Sequence, residues 1–230
     1  IFEQPQVIER LVTSQREHVA AVAADIREAN PCYVAIAARR TSDHAAIYAK
    51  YLFGILAGLP VALAAPSLST LYRRPPRFDR ALVIGISQSG HSTDVGRVLE
   101  DAAAQGALTI AITNDETSPM AGMARHHLPL SAGQELSLAA TKSYTAQLTT
   151  LAMLVAAVVG DEGLADDLQH LPGQVAETLR LSEEAIGGAE RYCFMEHCIT
   201  LGRGYNYATC FEIALKVKEL CYIVAEPYST

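Results

Sequence analysis

Ala81-Leu82-Val83-Ile84-Gly85-Ile86-Ser87-Gln88-Ser89-Gly90-His91-Ser92-Thr93 is the stretch of this 230-residue chain that decides its fold. Ala81 to Ile86 is apolar without alternation. A strand apolar on both faces belongs in a sheet covered on both sides. The run enters a hydroxyl-rich loop, Ser87 to Thr93, and the pattern then turns helical from about Thr93 to Gln105. The unit is therefore buried strand, polar loop, helix.

The same alternation extends in both directions. Before it, Gln6 to Ala29 has helical periodicity through Ile8, Leu11, Val12, Val19 and Val22. Tyr33 to Ala38 reads as a strand, Ser42 to Leu56 as a helix with Thr41 or Ser42 at its N-cap, and Pro60 to Ala64 as a second strand. After it come strand Leu108 to Thr113, polar turn Asn114 to Ser118, short helix Pro119 to Ala124, short strand His127 to Leu130 and long apolar helix Thr141 to Val159. The expected class is α/β, a three-layer arrangement of a parallel sheet with helices on both faces. Such sheets bind ligands at the carboxyl ends of their strands.

Asp161 to Ala189 is a more polar helical stretch. The pattern then restarts, with strand Cys198 to Leu201, turn Gly202-Arg203-Gly204 and helix Tyr207 to Cys221, resembling residues 33–56. The sequence thus predicts two tandem copies, the second truncated: a helical arm at 1–29, a first unit at 30–160, a linker at 161–189 and the start of a second unit at 190–230. Both ends read as cut, because the chain opens on Ile1 and stops at Thr230 just after a new apolar segment begins.

Composition narrows the function. Half the residues are hydrophobic and 19% are charged, an ordinary globular balance. A net charge of −7 argues against a nucleic-acid partner, which calls for a basic face. Cysteines 32, 193, 198, 210 and 221 are odd in number and match no zinc spacing, so they read as free thiols in a reducing cytoplasm. The run Leu148 to Val159 is too short to span a bilayer. The expectation is no metal, no cofactor, no membrane and no nucleic acid.

The Ser87–Thr93 loop opens a helix, where unpaired N–H groups and the helix dipole favour an anion. Gly90 permits close backbone approach. Serine and threonine hydroxyls complete a neutral cradle for phosphate. The glycine spacing and lysine of a nucleotide-binding P-loop are missing. Taken alone, the segment also reads as a serine-rich turn with a helix cap. Two further polar loops, Arg40 to Asp43 and Ala132 to Ser143, should fall on the same sheet edge. In the second unit, Glu212, Lys216 and Glu219 are spaced i, i+4 and i+7 and fall within about 60° of arc on one helix. They read either as a solvated salt-bridge face or, because the rest of that helix is apolar and such a helix is expected to be mostly buried, as a charged stripe facing a partner or an acid–base pair facing a cleft.

Three segments together resemble the sugar isomerase (SIS) family: Ile86 to Gly90, Ala132 to Ser143, and Glu212 to Glu219. They look like the isomerase half of glucosamine-6-phosphate synthase. Ser42-Asp43-His44-Ala45, Ala49 to Phe53, Asn114 to Pro119 and Ala139 to Tyr144 look closer still to SIS-type glucosamine-6-phosphate deaminases. The resemblance implies that Ser42, Ser87, Gln88, Ser89 and Ser92 hold the sugar phosphate or its hydroxyls. It implies a backbone contact from Leu138, proton transfer between C1 and C2 by Glu219, and Lys216 beside that chemistry. Ala140 stands where the synthase has a sugar-contacting serine, and His91 where it has an acidic residue. The family's ring-opening histidine is expected just after Thr230. The helical arm favours a stand-alone deaminase or isomerase over a synthase with a glutaminase domain. The apolar helix Thr141 to Val159, read as a surface helix, exposes more than a monomer should, and together with the resemblance it predicts a homodimer. The runner-up enzyme is another ketose/aldose isomerase or a deglycase acting on an amine-linked sugar phosphate. A non-catalytic sugar-phosphate sensor is the alternative of another class, and it would not need the acid–base stripe.

Overall fold

A computed structural model describes residues 1–230, apart from the side chains of 184 and 185. The first sheet holds β1 (Tyr33–Ala37), β2 (Val61–Leu63), β3 (Ala81–Ser87), β4 (Leu108–Thr113) and β5 (His126–Pro129) in the order β2-β1-β3-β4-β5. All four pairings are parallel, and Ala37 lies opposite Gly85.

Side-chain size assigns the two faces. Val34 and Ile36, Leu82, Ile84 and Ile86, and Ile110 and Ile112 pack on one face against α1 (Gln4–Ser14), α2 (Arg16–Ala29), α3 (Thr41–Leu56) and α7 (Lys142–Val159). Their neighbours Ala35, Ala37, Val83 and Ala111 face the other way, against α5 (Thr93–Ala104) and Met120 of α6 (Pro119–Met123). The period-2 alternation is one of bulk rather than polarity, as expected for a strand buried on both sides.

The remaining elements are α4 (Ser67–Thr70), α8 (Glu162–Ile186), a 3₁₀ turn (Ala189–Tyr192) and a parallel pair, β6 (His197–Gly202) with β7 (Val224–Ser229), joined by α9 (Tyr205–Cys221). This β-α-β unit packs through α9 on α3, where the Tyr48 and Tyr205 rings lie 5.6 Å apart. Among the described residues no helix is long and apolar enough to cross a membrane.

Four expectations need correction. The helix predicted over residues 6–29 is two helices, broken at Gln15. Thr13 Oγ1 donates to the Glu9 carbonyl at 2.7 Å and Ser14 Oγ to the Arg10 carbonyl at 2.6 Å, and such back-bonding bends helices. The N-cap of α3 is Arg40, not Thr41 or Ser42. Helix α7 is not a surface helix. It is covered by α1, α2, α3 and α8, and Leu151, Leu154 and Val155 are fully buried. Its apolarity therefore says nothing about a dimer, and that expectation rests on the resemblance alone. Finally, α9 is apolar but not mostly buried, since Ile213 and Leu220 are exposed.

Candidate active site

After β1 the chain turns to the face of bulky side chains, and after β3 to the face of small ones. The two adjacent strand ends therefore part, leaving a crevice of the kind where open α/β sheets bind ligands. A cavity of about 390 Å³ lies there. All eight residues singled out from the sequence line it: Ser42, Ser87, Gln88, Ser89, Ser92, Leu138, Lys216 and Glu219. The three polar loops do share one edge, and α9 closes it.

The loop after β3 is braced by its own side chains. Ser87 Oγ accepts the Gly90 N–H at 3.1 Å, and Ser89 Oγ accepts the His91 N–H at 3.3 Å. Each hydroxyl thus keeps its hydrogen for a ligand oxygen. Ser92 is the N-cap of α5 and makes no side-chain cap bond. Gly90 has φ of 69°, and a Cβ there would collide with the Ser118 side chain. The Gly90 carbonyl accepts the Met120 N–H at 3.3 Å, which holds the loop against α6. His91, at the cavity mouth, lies 3.4 Å from the Asp115 carboxylate. The hydrogen bonds from Thr117, with His91 beside it, hold the Asp115 carboxyl below the usual carboxylate range.

Ser42, in the first turn of α3, is buried, and its Oγ accepts from Gln147 Nε2 at 3.0 Å. Gln147 is 1% exposed and sits within apolar α7. Its Oε1 has no partner among the described residues. Sequence reasoning passed over Gln147, although an amide inside an apolar helix was the signal that could have found it. It also passed over Arg39, a cavity residue whose guanidinium pairs with Asp94.

The third loop is tied down at both ends. Asn114 Nδ2 donates to the Gly133 carbonyl at 2.7 Å, and Asn114 Oδ1 accepts the Ala132 N–H at 2.8 Å. The Glu135 carboxylate accepts N–H and hydroxyl bonds from both Thr141 and Ser143 at the start of α7. Burial pushes the Glu135 carboxyl up, but these bonds to its charged form outweigh burial and hold it below its ordinary value. Leu138, between these ties, is 95% exposed while lining the cavity.

Helix α9 delivers the charged groups, but the predicted stripe divides. Glu212 is buried behind the cavity, against α3. Its Oε2 meets His44 Nδ1 at 2.6 Å, and its Oε1 accepts from Thr41 Oγ1 at 3.1 Å. Burial raises the Glu212 carboxyl, while the His44 hydrogen bond and the Lys216 charge lower it further than burial raises it. Lys216 Nζ lies 3.2 Å from Glu212 Oε1, 3.1 Å from Thr41 Oγ1 and 3.1 Å from Glu219 Oε2. Three acceptors match the three ammonium donors. Glu212 is thus an anchor that fixes the pair Lys216–Glu219 at the cavity, rather than a third member of it.

This arrangement of loops and helix is matched elsewhere. Residues 26–157 fit the model of the SIS domain. The chain belongs to the SIS domain family. Over 229 residues this SIS chain is 36% identical to the glutamine–fructose-6-phosphate aminotransferase (isomerizing) of Aquifex aeolicus. The match covers 99% of the chain and 38% of that relative, so the chain spans well under half of its length. Among solved structures, a protein of Silicibacter pomeroyi DSS-3 with a proposed phosphosugar isomerase role superposes with a TM-score of 0.90 at 40% identity, covering 99% of this chain and 69% of the other. The C-terminal domain of glucosamine-fructose-6-phosphate aminotransferase from Francisella tularensis gives 0.88 at 28% identity, with 99% and 68% covered.

Proposed function

We propose that the cavity binds an amino sugar 6-phosphate and that Glu219 moves a proton between its C1 and C2. The observation that carries this reading is the meeting of a hydroxyl-lined helix start with a lysine–carboxylate pair in one cavity. The phosphate sits on the Ser87–Ser92 loop, where hydroxyls and the start of α5 donate hydrogen bonds. Ser42 and Gln88 meet the sugar hydroxyls, and the exposed Leu138 contributes its backbone. With the ring open, Glu219 removes the C2 proton and returns it at C1 through an enolamine. The resulting C2 imine takes up water and yields fructose 6-phosphate and ammonia. Lys216, fixed by three acceptors, orients Glu219. Positioning and one general base supply the chemistry.

A second reading has one observation in its favour. The 36% identical relative is a glutamine–fructose-6-phosphate aminotransferase (isomerizing). On that reading the same cavity runs the reaction in the direction of the amino sugar. Ammonia release from glucosamine 6-phosphate separates the two. Release supports the deaminase, whereas proton exchange on fructose 6-phosphate without release supports the aminotransferase part. Binding without either supports a sensor and overturns both.

A further inference from the structure

Arg40 connects β1 to α3 with φ of 53° and ψ of −129°. These angles belong to the first central residue of a type II′ turn, a position dominated by glycine. The bond of that turn is made, Ser42 N–H to the Arg39 carbonyl at 3.1 Å. The chain carries its own comparison. Strand β6 enters α9 through Gly202-Arg203-Gly204, and Gly204, at the same N-cap place, has φ of 63° and ψ of −133°. One turn uses glycine. The other holds the same backbone shape with an arginine, which a residue bearing a Cβ does only against strain.

Packing does not offset that strain. Arg40 is exposed, and its guanidinium has no hydrogen bond or ion pair among the described residues. It does line the cavity. The other charged groups there are matched: Arg39 by Asp94, Lys216 by Glu212 and Glu219, and His91 by Asp115. Arg40 is the cation left over. The strand register puts it beside the hydroxyl loop. Ala37 lies opposite Gly85, so Arg40 and Gln88 each stand three residues further along adjacent strand ends.

We propose that Arg40 is a phosphate-binding residue whose guanidinium donates to the phosphate of the bound sugar phosphate, an inference that rests on the phosphosugar reading of the cavity. The Ser87–Ser92 loop offers neutral donors that fit the shape of a phosphate. Arg40 adds a full charge and a planar pair of N–H groups suited to two of its oxygens. The backbone strain is retained because glycine could make the turn but not this contact. Since Arg40 is exposed, its share of the affinity is screened by salt.

Calorimetry with fructose 6-phosphate as the probe, at low and high potassium chloride, tests this on wild type, Arg40→Gly and Arg40→Ala, alongside thermal melts. Both variants should bind at least about tenfold more weakly at low salt and lose most of the salt dependence. Arg40→Gly should melt about 2 °C or more above wild type, because glycine takes the turn without strain, whereas Arg40→Ala should gain little. That pairing of weaker binding with greater stability supports the proposal. Unchanged affinity in Arg40→Gly overturns it while leaving the phosphosugar reading intact. An Arg40→Gly protein that melts below wild type overturns it in favour of a structural role. A wild type that binds no fructose 6-phosphate overturns the phosphosugar reading and this inference with it.

Discussion

Gly90→Ala tests the geometry of the phosphate loop, and the structure supplies its cost in two parts. The residue has φ of 69°, and placing an L side chain in that left-handed region costs about 1–2 kcal/mol. The added methyl would overlap the Ser118 side chain and come within 3.2 Å of Thr113 Cγ2. Ser118 cannot simply step aside. It is the N-cap of α6, accepts the Ala121 N–H, and lies 3.4 Å from Thr113 Oγ1. Overpacking of this kind costs roughly another 1–3 kcal/mol. Urea denaturation should therefore show a total loss of about 2–5 kcal/mol, and calorimetry should show phosphate affinity lost with it. Ser118→Gly removes the clashing side chain and should by itself cost only a few tenths of a kcal/mol, because glycine is tolerated at an N-cap. The double variant should recover the overlap part and leave the φ part, giving a coupling of about 1–3 kcal/mol. A Gly90→Ala protein with wild-type stability and affinity, or a double variant without coupling, would refute this account of the loop.

Three further outcomes follow from the same contacts. Ser87→Ala with Ser89→Ala should weaken sugar-phosphate binding at least about tenfold in calorimetry, since each lost charge-assisted bond is worth roughly 1.5–3 kcal/mol. Glu212→Ala removes the anchor shared by His44, Thr41 and Lys216, and should cost about 3–5 kcal/mol in urea denaturation and reduce turnover although it leaves the cavity lining itself intact. Acid should destabilise the protein through Glu135 and Glu212. Both carboxyls are held below their ordinary values, so their contribution is complete above the unfolded pKa, about 4.3, and is lost as pH falls through the folded values. Glu135→Gln should lower stability at pH 7 by about 1–2 kcal/mol and flatten the acid limb of a melting-temperature profile.

The sheet and its three loops were legible because each signal was local. An apolar run such as Ala81 to Ile86 and a hydroxyl-rich turn into a helix need no distant partner to be read. The break at Gln15 was hidden because it depends on which carbonyls Thr13 and Ser14 choose. The division of the α9 stripe was hidden for a different reason. Spacing places Glu212, Lys216 and Glu219 on one face, but which of them meets solvent depends on His44 and Thr41, 168 and 171 residues away in sequence. Helix α7 was misjudged as surface because its apolarity fits a helix covered by its own chain as well as one covered by a second copy. Arg40 showed in the sequence only as the first residue of a polar loop at the sheet edge. An arginine in a polar loop is ordinary until its backbone angles are known.

The central claim is that Glu219 is the base that moves a proton on a bound sugar phosphate. Deuterium incorporation at C1 of fructose 6-phosphate and at C2 of glucosamine 6-phosphate in heavy water, followed by mass spectrometry on wild type and Glu219→Gln, tests it most directly. The account predicts steady exchange by the wild type and a fall of about 10²–10⁴-fold in Glu219→Gln, with sugar-phosphate affinity little changed. Exchange in Glu219→Gln at the wild-type rate, or a wild type that binds the sugar phosphate and exchanges no proton, would contradict it.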